Sequence, residues 1–445
     1  MNPANKAVVN SDTARVKADH AKYLFPCAPP LYGEPLVLVE GHGTTAVDSE
    51  GREYLDFFSG ILTTSIGHCH PEVVERVREQ VGTLGHTSTL YLTENQTRVA
   101  RRLSEIAPGR LSQSFFTNSG TEAVETAVML ACMYTGRSEV IALRRAYSGR
   151  SVLATNLTAQ APWRPLGSSL PGIKHAMSPY RYRFPIEGVD DEAFVDYLAR
   201  DLEETIHTVT DGKPAAFFAE TVQGAAGYIV PPPGYFQRMV EIIHDCGGLF
   251  ICDEVQAGFG RTGGKWFGIE HWDVEPDIMV MAKGIANGFP VGATITRPEI
   301  AEVWTAKTIS TYGGNPVCMA AGDATLEVMA RENTPDRSRD RGSQLRRGLE
   351  ELMGAHEWIG EVRGMGLMQA LELVEDRAGK EPNPEVTKAL LEATREEGLL
   401  VGVGGLDGNV IRMGPSMLVS EAEVDDALDR LRRACRRVDS ASWSG

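Results

Sequence analysis

Several features of secreted, metal-binding and membrane proteins are missing from this chain of 445 residues. Its seven cysteines are scattered, odd in number and form no C-x-x-C pair, which argues against a disulfide framework and a zinc knuckle. No stretch approaches the roughly 18 to 20 apolar residues that cross a bilayer. The first residues, MNPANKAVVNSDTARVKADH, have neither an apolar signal core nor the Arg-rich, acid-free pattern of a transit peptide. We therefore expect a soluble, cytoplasmic protein with reduced thiols and no membrane partner.

Positive charge is also scarce. The chain has 44 Lys and Arg against 60 Asp and Glu, which gives a formal net charge of -16. Such a surface would repel a phosphate backbone, so we expect no nucleic-acid partner. Apolar residues, by contrast, make up 42% of the chain. At this length they are enough for a large core and predict two or three domain-sized units.

Short apolar runs bounded by turn residues recur through the middle of the chain and predict buried strands. Segments with helical spacing lie between them, at 121–134 and 235–246. Strands that alternate with helices predict an α/β fold, in which a mostly parallel sheet is sandwiched by helices. The predicted strands lie within 112–119, 139–147, 214–221, 248–255, 277–284 and 292–298.

The two ends of the chain predict a second, smaller unit. Residues 1–75 contain the strand pattern TTAVDSEGREYLDF with a hairpin turn at S-E-G, and we interpret them as an N-terminal segment that joins the small domain. Residues 76–325 form the predicted large domain. A charged helix near 337–353, two strand-rich segments and a closing helix from Ser420 predict a small C-terminal α+β domain over 326–445.

Polar residues close two of the predicted strands. Asp253 and Glu254 follow GLFIC, and Lys283 with Gly284 follows DIMVMA. In an open parallel sheet, ligands bind beyond the carboxyl ends of the strands, so a carboxylate and an amine would face one crevice. Either motif alone is better explained as a salt-bridged strand end.

A third motif, TNSGTEAVE, passes from a strand into a helix through Ser119 and Gly120. The free N–H groups and the positive dipole end of that helix would hold an anion such as phosphate. An ordinary capping box of Ser119 with Glu122 is the alternative. Together the three motifs supply what pyridoxal phosphate needs: an amine, a carboxylate for the pyridine nitrogen, and an anion site. Burial among apolar strands would lower the pKa of Lys283 toward the reactive free base.

Longer motifs resemble the signature of class III aminotransferases of fold type I. They are ICDEVQAGFGRTG at 251–263, MAKGIANGFPVGA at 281–293 and TYGGNPV at 311–317, and the similarity runs from 54 to 415. Within the class the chain is most similar to the alanine–glyoxylate aminotransferase 2 branch, to which phospholyases that cleave ethanolamine phosphate also belong. The resemblance implies pyridoxal 5'-phosphate as cofactor, a homodimer or a dimer of such dimers, and a role for residues 1–75 in the dimer interface.

The resemblance also implies roles for individual residues. Lys283 would hold the cofactor as a Schiff base and shuttle the proton, while Asp253 would pair with the pyridine nitrogen. Gln256 would hydrogen-bond the phenolic oxygen, and Thr311 would reach the phosphate bound by the neighbouring subunit. The predicted phosphate cradle is Ser119, Gly120 and Thr121.

At several further positions the residue allows more than one interpretation or departs from the motif. Tyr147 would stack on the cofactor ring or simply fill the core, and the residue after it is Ser148, where the motif usually has His. Glu220 would either hold polar groups beneath the cofactor or form a strand-end salt bridge. Arg412, in NVIRMGP, would clamp the substrate carboxylate, and an ordinary surface arginine is the alternative. Because Ala225 stands where other branches have a glutamate that masks this arginine, the sequence favours α-amino acids and small keto acids.

These expectations lead to an aminotransferase that passes an amino group to a small keto acid such as pyruvate or glyoxylate. The rivals on the same scaffold are a lyase that expels a β-leaving group and, more distantly, an aminomutase or a racemase. A cofactor-sensing regulator would need a DNA-binding module, and no basic helix-turn-helix pattern is present. We predict no metal, because His68 and His70 lack an acidic third ligand. Side chains near Ile61, Leu62 and Ile66 are expected to shape the pocket.

Overall fold

The structure, a computed structural model, describes residues 12–167, 170 and 172–440, so the first eleven residues of the predicted N-terminal segment lie outside it. The described helices are α1 Thr13–Tyr23, α2 Ser59–Leu62, α3 Pro71–Thr83, α4 Glu94–Ile106, α5 Gly120–Thr135, α6 Val152–Leu157, α7 Asp191–Val209, α8 Tyr235–Asp245, α9 Pro298–Ala301, α10 Pro316–Arg331, α11 Thr334–Ala355, α12 Pro384–Glu396 and α13 Glu421–Ser440. None of these helices has both the length and the apolar content that a membrane crossing requires.

Fifteen strands are described. They are β1 Leu38–His42, β2 Thr45–Asp48, β3 Glu53–Asp56, β4 Gln113–Thr117, β5 Val140–Leu143, β6 Ile173–Ala176, β7 Ala216–Glu220, β8 Leu249–Asp253, β9 Ile278–Met281, β10 Gly292–Thr296, β11 Ile359–Met365, β12 Met368–Leu373, β13 Leu399–Leu400, β14 Gly402–Gly404 and β15 Val410–Met413.

The central sheet has seven strands in the order β4-β10-β9-β8-β7-β5-β6. Strands β5 to β9 run parallel, and β10 is antiparallel to both of its neighbours. All six predicted strands are present, and the α/β prediction is confirmed. The edge strand β6 was not predicted, because its sequence IKHA is only partly buried and lacks a continuous apolar run.

Two smaller sheets come from the ends of the chain. Their strand orders are β1-β2-β3-β13 and β11-β12-β15-β14. The parallel pairing of β3 with β13 brings the N-terminal and C-terminal segments together in one sheet. Helix α10 continues across the boundary that was predicted between 325 and 326.

Candidate active site

The carboxyl ends of β7, β8 and β9 open into a cavity of about 340 Å³. Burial on both faces explains why β8 and β9 are continuous apolar runs that end on polar residues. Most of the residues predicted to form the site line this one cavity. They are Ser119, Gly120, Thr121, Tyr147, Glu220, Asp253, Gln256 and Lys283.

Lys283 follows β9 and has a φ of 45°, in the left-handed region that few non-glycine residues occupy. Burial lowers the pKa of its amine to about 8, while the charge of Asp253 acts in the opposite direction. A substantial fraction of this amine is therefore neutral near pH 7 to 8, as nucleophilic attack on an aldehyde requires. The expected shift of the Lys283 pKa has the predicted direction and cause.

Two carboxylates lie side by side at the ends of β7 and β8, where Glu220 pairs with Asp253 in the strand register. Asp253 is 5% exposed, and its Oδ1 accepts a hydrogen bond of 2.9 Å from the Val255 N–H. Burial raises the pKa of Asp253. Burial, and then the neighbouring charge of Asp253, raise the pKa of Glu220. Glu254 is oriented differently: its carboxylate accepts the N–H groups of Gly268 and Ile269 and so has a structural role.

Glu220 is held by backbone donors. Its Oε1 accepts the Tyr147 N–H at 3.0 Å, and its Oε2 accepts the Gly224 N–H at 2.8 Å. No lysine or arginine of the described residues forms an ion pair with it, so the strand-end salt bridge considered from the sequence is not formed. Glu220 thus fixes the segments that carry Tyr147 and Gly224 against the cavity floor.

The first turn of α5 forms one end of the cavity. Half of the predicted capping box is formed, since Ser119 Oγ accepts the Glu122 N–H at 3.4 Å, whereas the Glu122 carboxylate accepts the Asn118 N–H at 2.8 Å and the Ser119 hydroxyl at 3.1 Å instead of the Ser119 N–H. Within the described part of the chain, the N–H groups of Gly120 and Thr121 donate to no protein acceptor. The Ser119 cap and a pair of N–H groups that can bind an anion therefore occur together at the start of α5.

Two buried polar atoms in the cavity wall have no hydrogen-bond partner among the described residues. They are Oε1 of Gln256 and Oγ of Ser148. Such atoms are rare in folded proteins unless a ligand or water completes them. Tyr147 presents its ring to the same cavity, and the ring packs edge-on against Trp163 at a centroid distance of 5.6 Å.

Three predictions concern residues that do not line this cavity. Arg412 lies beside it on β15, 7% exposed, and its charge contributes to the lowered pKa of Lys283. Thr311 lies on an exposed loop. Leu62 and Ile66, which were expected to shape the pocket, are each 2% exposed and pack in apolar clusters. From the same segment, Thr63 lines the cavity.

Sequence reasoning missed several lining residues, among them Asn118, Arg150 and the stretch 288–291. The neighbouring glycine, Gly149, is the feature of the sequence that could have indicated Arg150. In the structure Gly149 has a φ of 133° and approaches Thr121 so closely that no side chain would fit. A Cβ at Gly149 would lie 2.5 Å from Thr121 Oγ1. The segment is therefore pressed onto the first turn of α5, which places Arg150 at the cavity.

The donor set fits pyridoxal 5'-phosphate. The cavity offers a buried amine with a lowered pKa, a carboxylate, two unused N–H donors at a helix start and an unpartnered amide oxygen. These correspond to the aldehyde, the pyridine nitrogen, the phosphate and the phenolic oxygen of the cofactor. Tyr147 supplies an aromatic ring at the same cavity.

Comparisons with known proteins agree with this geometry. The chain is 41% identical over 405 residues to the protein named alanine–glyoxylate aminotransferase 2 homolog 2, mitochondrial, of Arabidopsis thaliana. The aligned region covers 91% of this chain and 83% of that protein. Among solved structures, an (S)-enantioselective omega-transaminase from Thermomicrobium roseum superposes with a TM-score of 0.88 at 36% identity, over 96% of this chain and 99% of that one.

A third relative bears on the cofactor. The omega-transaminase from Pseudomonas jessenii, solved in complex with PMP, matches with a TM-score of 0.87 at 29% identity, over 92% of this chain and 94% of that one. The aminotransferase class-III family itself matches residues 30–435. The fold type I and cofactor predictions are confirmed, and the chain belongs to the class III aminotransferases, enzymes that depend on pyridoxal 5'-phosphate.

Proposed function

We propose that this enzyme moves an amino group from an amino acid or amine to a small keto acid such as pyruvate or glyoxylate, with Lys283 as its central residue. The observation that carries the proposal is the position of Lys283. Its amine, with a pKa lowered to about 8, shares one cavity with the Asp253 carboxylate and the unused N–H groups of Gly120 and Thr121.

Each residue has a separate task in this proposal. When bound, the cofactor supplies an electron sink for negative charge at the substrate's α-carbon. Lys283 would hold the cofactor through its amine, and the same amine would carry the substrate's α-proton. Asp253 keeps the pyridine nitrogen protonated. The cradle of Ser119, Gly120 and Thr121 would bind the phosphate, and Gln256 would hydrogen-bond the phenolic oxygen.

Arg412 is proposed to bind the substrate carboxylate. It forms no ion pair among the described residues, and its hydrogen bonds go to the carbonyl groups of Val403 and Gly224. The α-carboxylates of amino acids and keto acids suit such a planar donor. The name of the Arabidopsis relative, which cites alanine and glyoxylate, supports a small amino donor and a small keto acid here.

We also propose a homodimer. Six large apolar side chains are strongly exposed on two neighbouring segments, which the His86–Tyr312 ring contact at 5.2 Å joins. They are Leu84, Leu90, Tyr91, Leu92, Ile309 and Tyr312. Thr311 lies between Ile309 and Tyr312 on this surface, and we propose that its side chain contacts the phosphate site of the partner subunit. An exposed apolar patch of this kind is typical of a protein interface.

The remaining proposals concern placement and organisation. All seven cysteines are free, which is in keeping with a reducing compartment, and we place the enzyme in the cytoplasm. The name of the Arabidopsis relative suggests a mitochondrial location as the alternative. Cell fractionation with an antibody against this protein distinguishes the two locations. We propose that the chain is organised as an N-terminal segment, a large domain and a small C-terminal domain, with helix α10 running from the large into the small domain.

The decisive experiment compares three reactions of the purified protein. L-Alanine with pyruvate-free glyoxylate should give glycine and pyruvate, and Lys283→Ala should abolish this transfer. Release of phosphate from phosphoethanolamine without a keto acid would instead establish the lyase. Interconversion of alanine enantiomers without an acceptor would establish a racemase.

A further inference from the structure

Arg412 carries a buried guanidinium that forms no ion pair among the described residues, although the charges of Glu220 and Lys283 act on it without direct contact. Its Nη1 donates to the Gly224 carbonyl at 3.1 Å, and its Nη2 and Nε donate to the Val403 carbonyl at 2.8 and 3.2 Å. Burying a charge without an opposite charge is costly, so other contacts must stabilise this arrangement. Three hydrogen bonds to carbonyl oxygens supply part of that stabilisation.

Two aromatic rings supply another part. The Arg412 guanidinium lies over the ring of Phe58 at 5.3 Å and over the ring of Tyr228 at 5.7 Å. We call this pair of rings the aromatic bracket. A guanidinium is attracted by the negative face of a ring, most strongly where water is excluded.

The backbone next to the aromatic bracket is shaped so that the two rings and the Arg412 side chain fit beside it. Tyr228 has a φ of 58°, a left-handed conformation that is unfavourable for a bulky residue. A Cβ at Gly402 would lie 2.1 Å from the Phe58 ring, and a Cβ at Gly404 would lie 2.5 Å from Arg412 Nε. Neither position of β14 could therefore carry a side chain without moving the bracket or the arginine.

The count of donors shows what the bracket leaves free. A guanidinium has five N–H groups, and the three hydrogen bonds above use one each on Nε, Nη1 and Nη2. One donor therefore remains on Nη1 and one on Nη2, which is the number of donors that a bidentate contact with a carboxylate requires. A ring face attracts the cation without using any donor, whereas an acidic partner would occupy this pair.

We propose that Phe58 and Tyr228 are positioning residues that hold Arg412 ready for the substrate carboxylate, in place of an acidic partner. This inference rests on the proposed function, in which Arg412 is the carboxylate-binding residue. The substrate then has no competing carboxylate to displace. The site is accordingly selective for amines that carry a neighbouring carboxylate.

The experiment uses the holoenzyme and two measurements. Calorimetry gives the Kd for propanoate, which is L-alanine without its amino group. Half-reaction kinetics compare L-alanine with propan-2-amine, in which a methyl group replaces the carboxylate. The variants are Phe58→Leu and Tyr228→Leu, with Arg412→Lys as reference and Tyr228→Phe as the conservative control.

We expect removal of either ring to weaken propanoate binding about tenfold and to lower the ratio of the L-alanine to the propan-2-amine rate constant by a similar factor. Tyr228→Phe should restore both values to within about twofold, because the ring is kept and the lost hydroxyl has no partner among the described residues. Arg412→Lys should show the largest loss.

Several outcomes would overturn the inference. One is an unchanged Kd for propanoate in Phe58→Leu. Should Tyr228→Leu fail to fold, Phe58→Leu is the variant that decides. Another is an equal slowing of both amines, which would indicate general damage to the site. If Arg412→Lys changes nothing, the carboxylate assignment fails and the bracket with it. If no amine reacts with the unmodified enzyme, the proposed transamination fails, and the calorimetry alone decides on the bracket.

Discussion

Lys283 is the residue whose chemistry depends most on its surroundings. On a surface its amine would be protonated at neutral pH, whereas burial lowers its pKa to about 8. The charges of Asp253 and Arg412 modify this value in opposite directions. The pKa at this position thus depends on burial first, and then on charged residues that are distant in the sequence.

Capture of pyridoxal phosphate by the cofactor-free protein should therefore depend on pH. Only the neutral amine attacks the aldehyde, so the rate should rise with pH through about 8 and then level off. In Asp253→Asn the midpoint should move to lower pH, because the charge that raises the pKa of Lys283 is gone. Stopped-flow absorbance measures the rate.

The same pH series with a free alkyl amine corrects for titration of the aldehyde itself. After this correction, a midpoint above pH 10 in the unmodified protein would contradict the buried amine. A shift of the Asp253→Asn midpoint to higher pH would contradict the role of the carboxylate.

From the sequence, most of the predicted site residues could be placed at one cavity, but what each of them contacts could not be predicted. Asp253 and Lys283 were identified because strand ends in a parallel sheet are predictable from apolar runs. The backbone donors that hold Glu220 and the rings beside Arg412 were not predicted, because those contacts join segments that are far apart in the chain. Glu254, adjacent to Asp253, points to a different environment.

Among the elements, helix α11 shows how closely the C-terminal sheet is packed. A Cβ at Gly342 would lie 2.1 Å from the backbone carbonyl oxygen of Gly366, in the turn between β11 and β12. Gly354 in the same helix is exposed and has no atom within 4 Å of such a Cβ. The two glycines therefore offer a matched pair.

Gly342→Ala should lower the free energy of unfolding by about 2 kcal/mol, because the backbone of Gly366 cannot move aside cheaply. Gly354→Ala should raise it by about 0.5 kcal/mol, because alanine loses less backbone entropy in a helix. Denaturant titration of the holoenzyme measures both. Equal effects of the two substitutions would show that the helix does not approach the turn this closely.

Helix α10 is tied to α3 and α4 by one carboxylate. Asp323 is 1% exposed and lies 3.1 Å from Arg76, 3.1 Å from Arg98 and 2.7 Å from Arg102. Asp323→Asn should cost about 3 kcal/mol of unfolding free energy, because three guanidinium groups lose their shared buried counter-charge. The measurement is the same denaturant titration.

Glu327 provides the control, since its half-exposed side chain pairs with Arg76 and Arg102 at 3.5 and 3.4 Å. Glu327→Gln should cost less than about 1 kcal/mol, as expected of an exposed ion pair. A loss in Asp323→Asn no larger than in Glu327→Gln would mean that the buried carboxylate does not hold the three helices together.

For the whole molecule, the main prediction concerns assembly. Leu92 is 94% exposed within the apolar surface that we propose as the dimer interface. Leu92→Asp should shift the protein to monomers at micromolar concentration, because a charge would be buried in the interface. Sedimentation velocity measures the mass, and affinity for pyridoxal phosphate should fall as well if Thr311 completes the partner's site.

Ile186→Asp is the matched control, since Ile186 is 50% exposed on another segment. It should leave the mass unchanged. An unmodified chain that sediments as a monomer would contradict the proposed dimer, and an unchanged mass in Leu92→Asp would place the interface elsewhere.

The sequence by itself determined the α/β architecture, the strand ends that carry Asp253 and Lys283, and the helix start at Ser119. These features follow from local patterns, because apolar periodicity and the residue that closes a run are properties of a few neighbouring positions. Tertiary structure alone decided how far the pKa of Lys283 is lowered, which groups contact Glu220 and Arg412, and where the edge strand β6 lies. These depend on burial and on contacts between distant segments, which only the folded chain brings together.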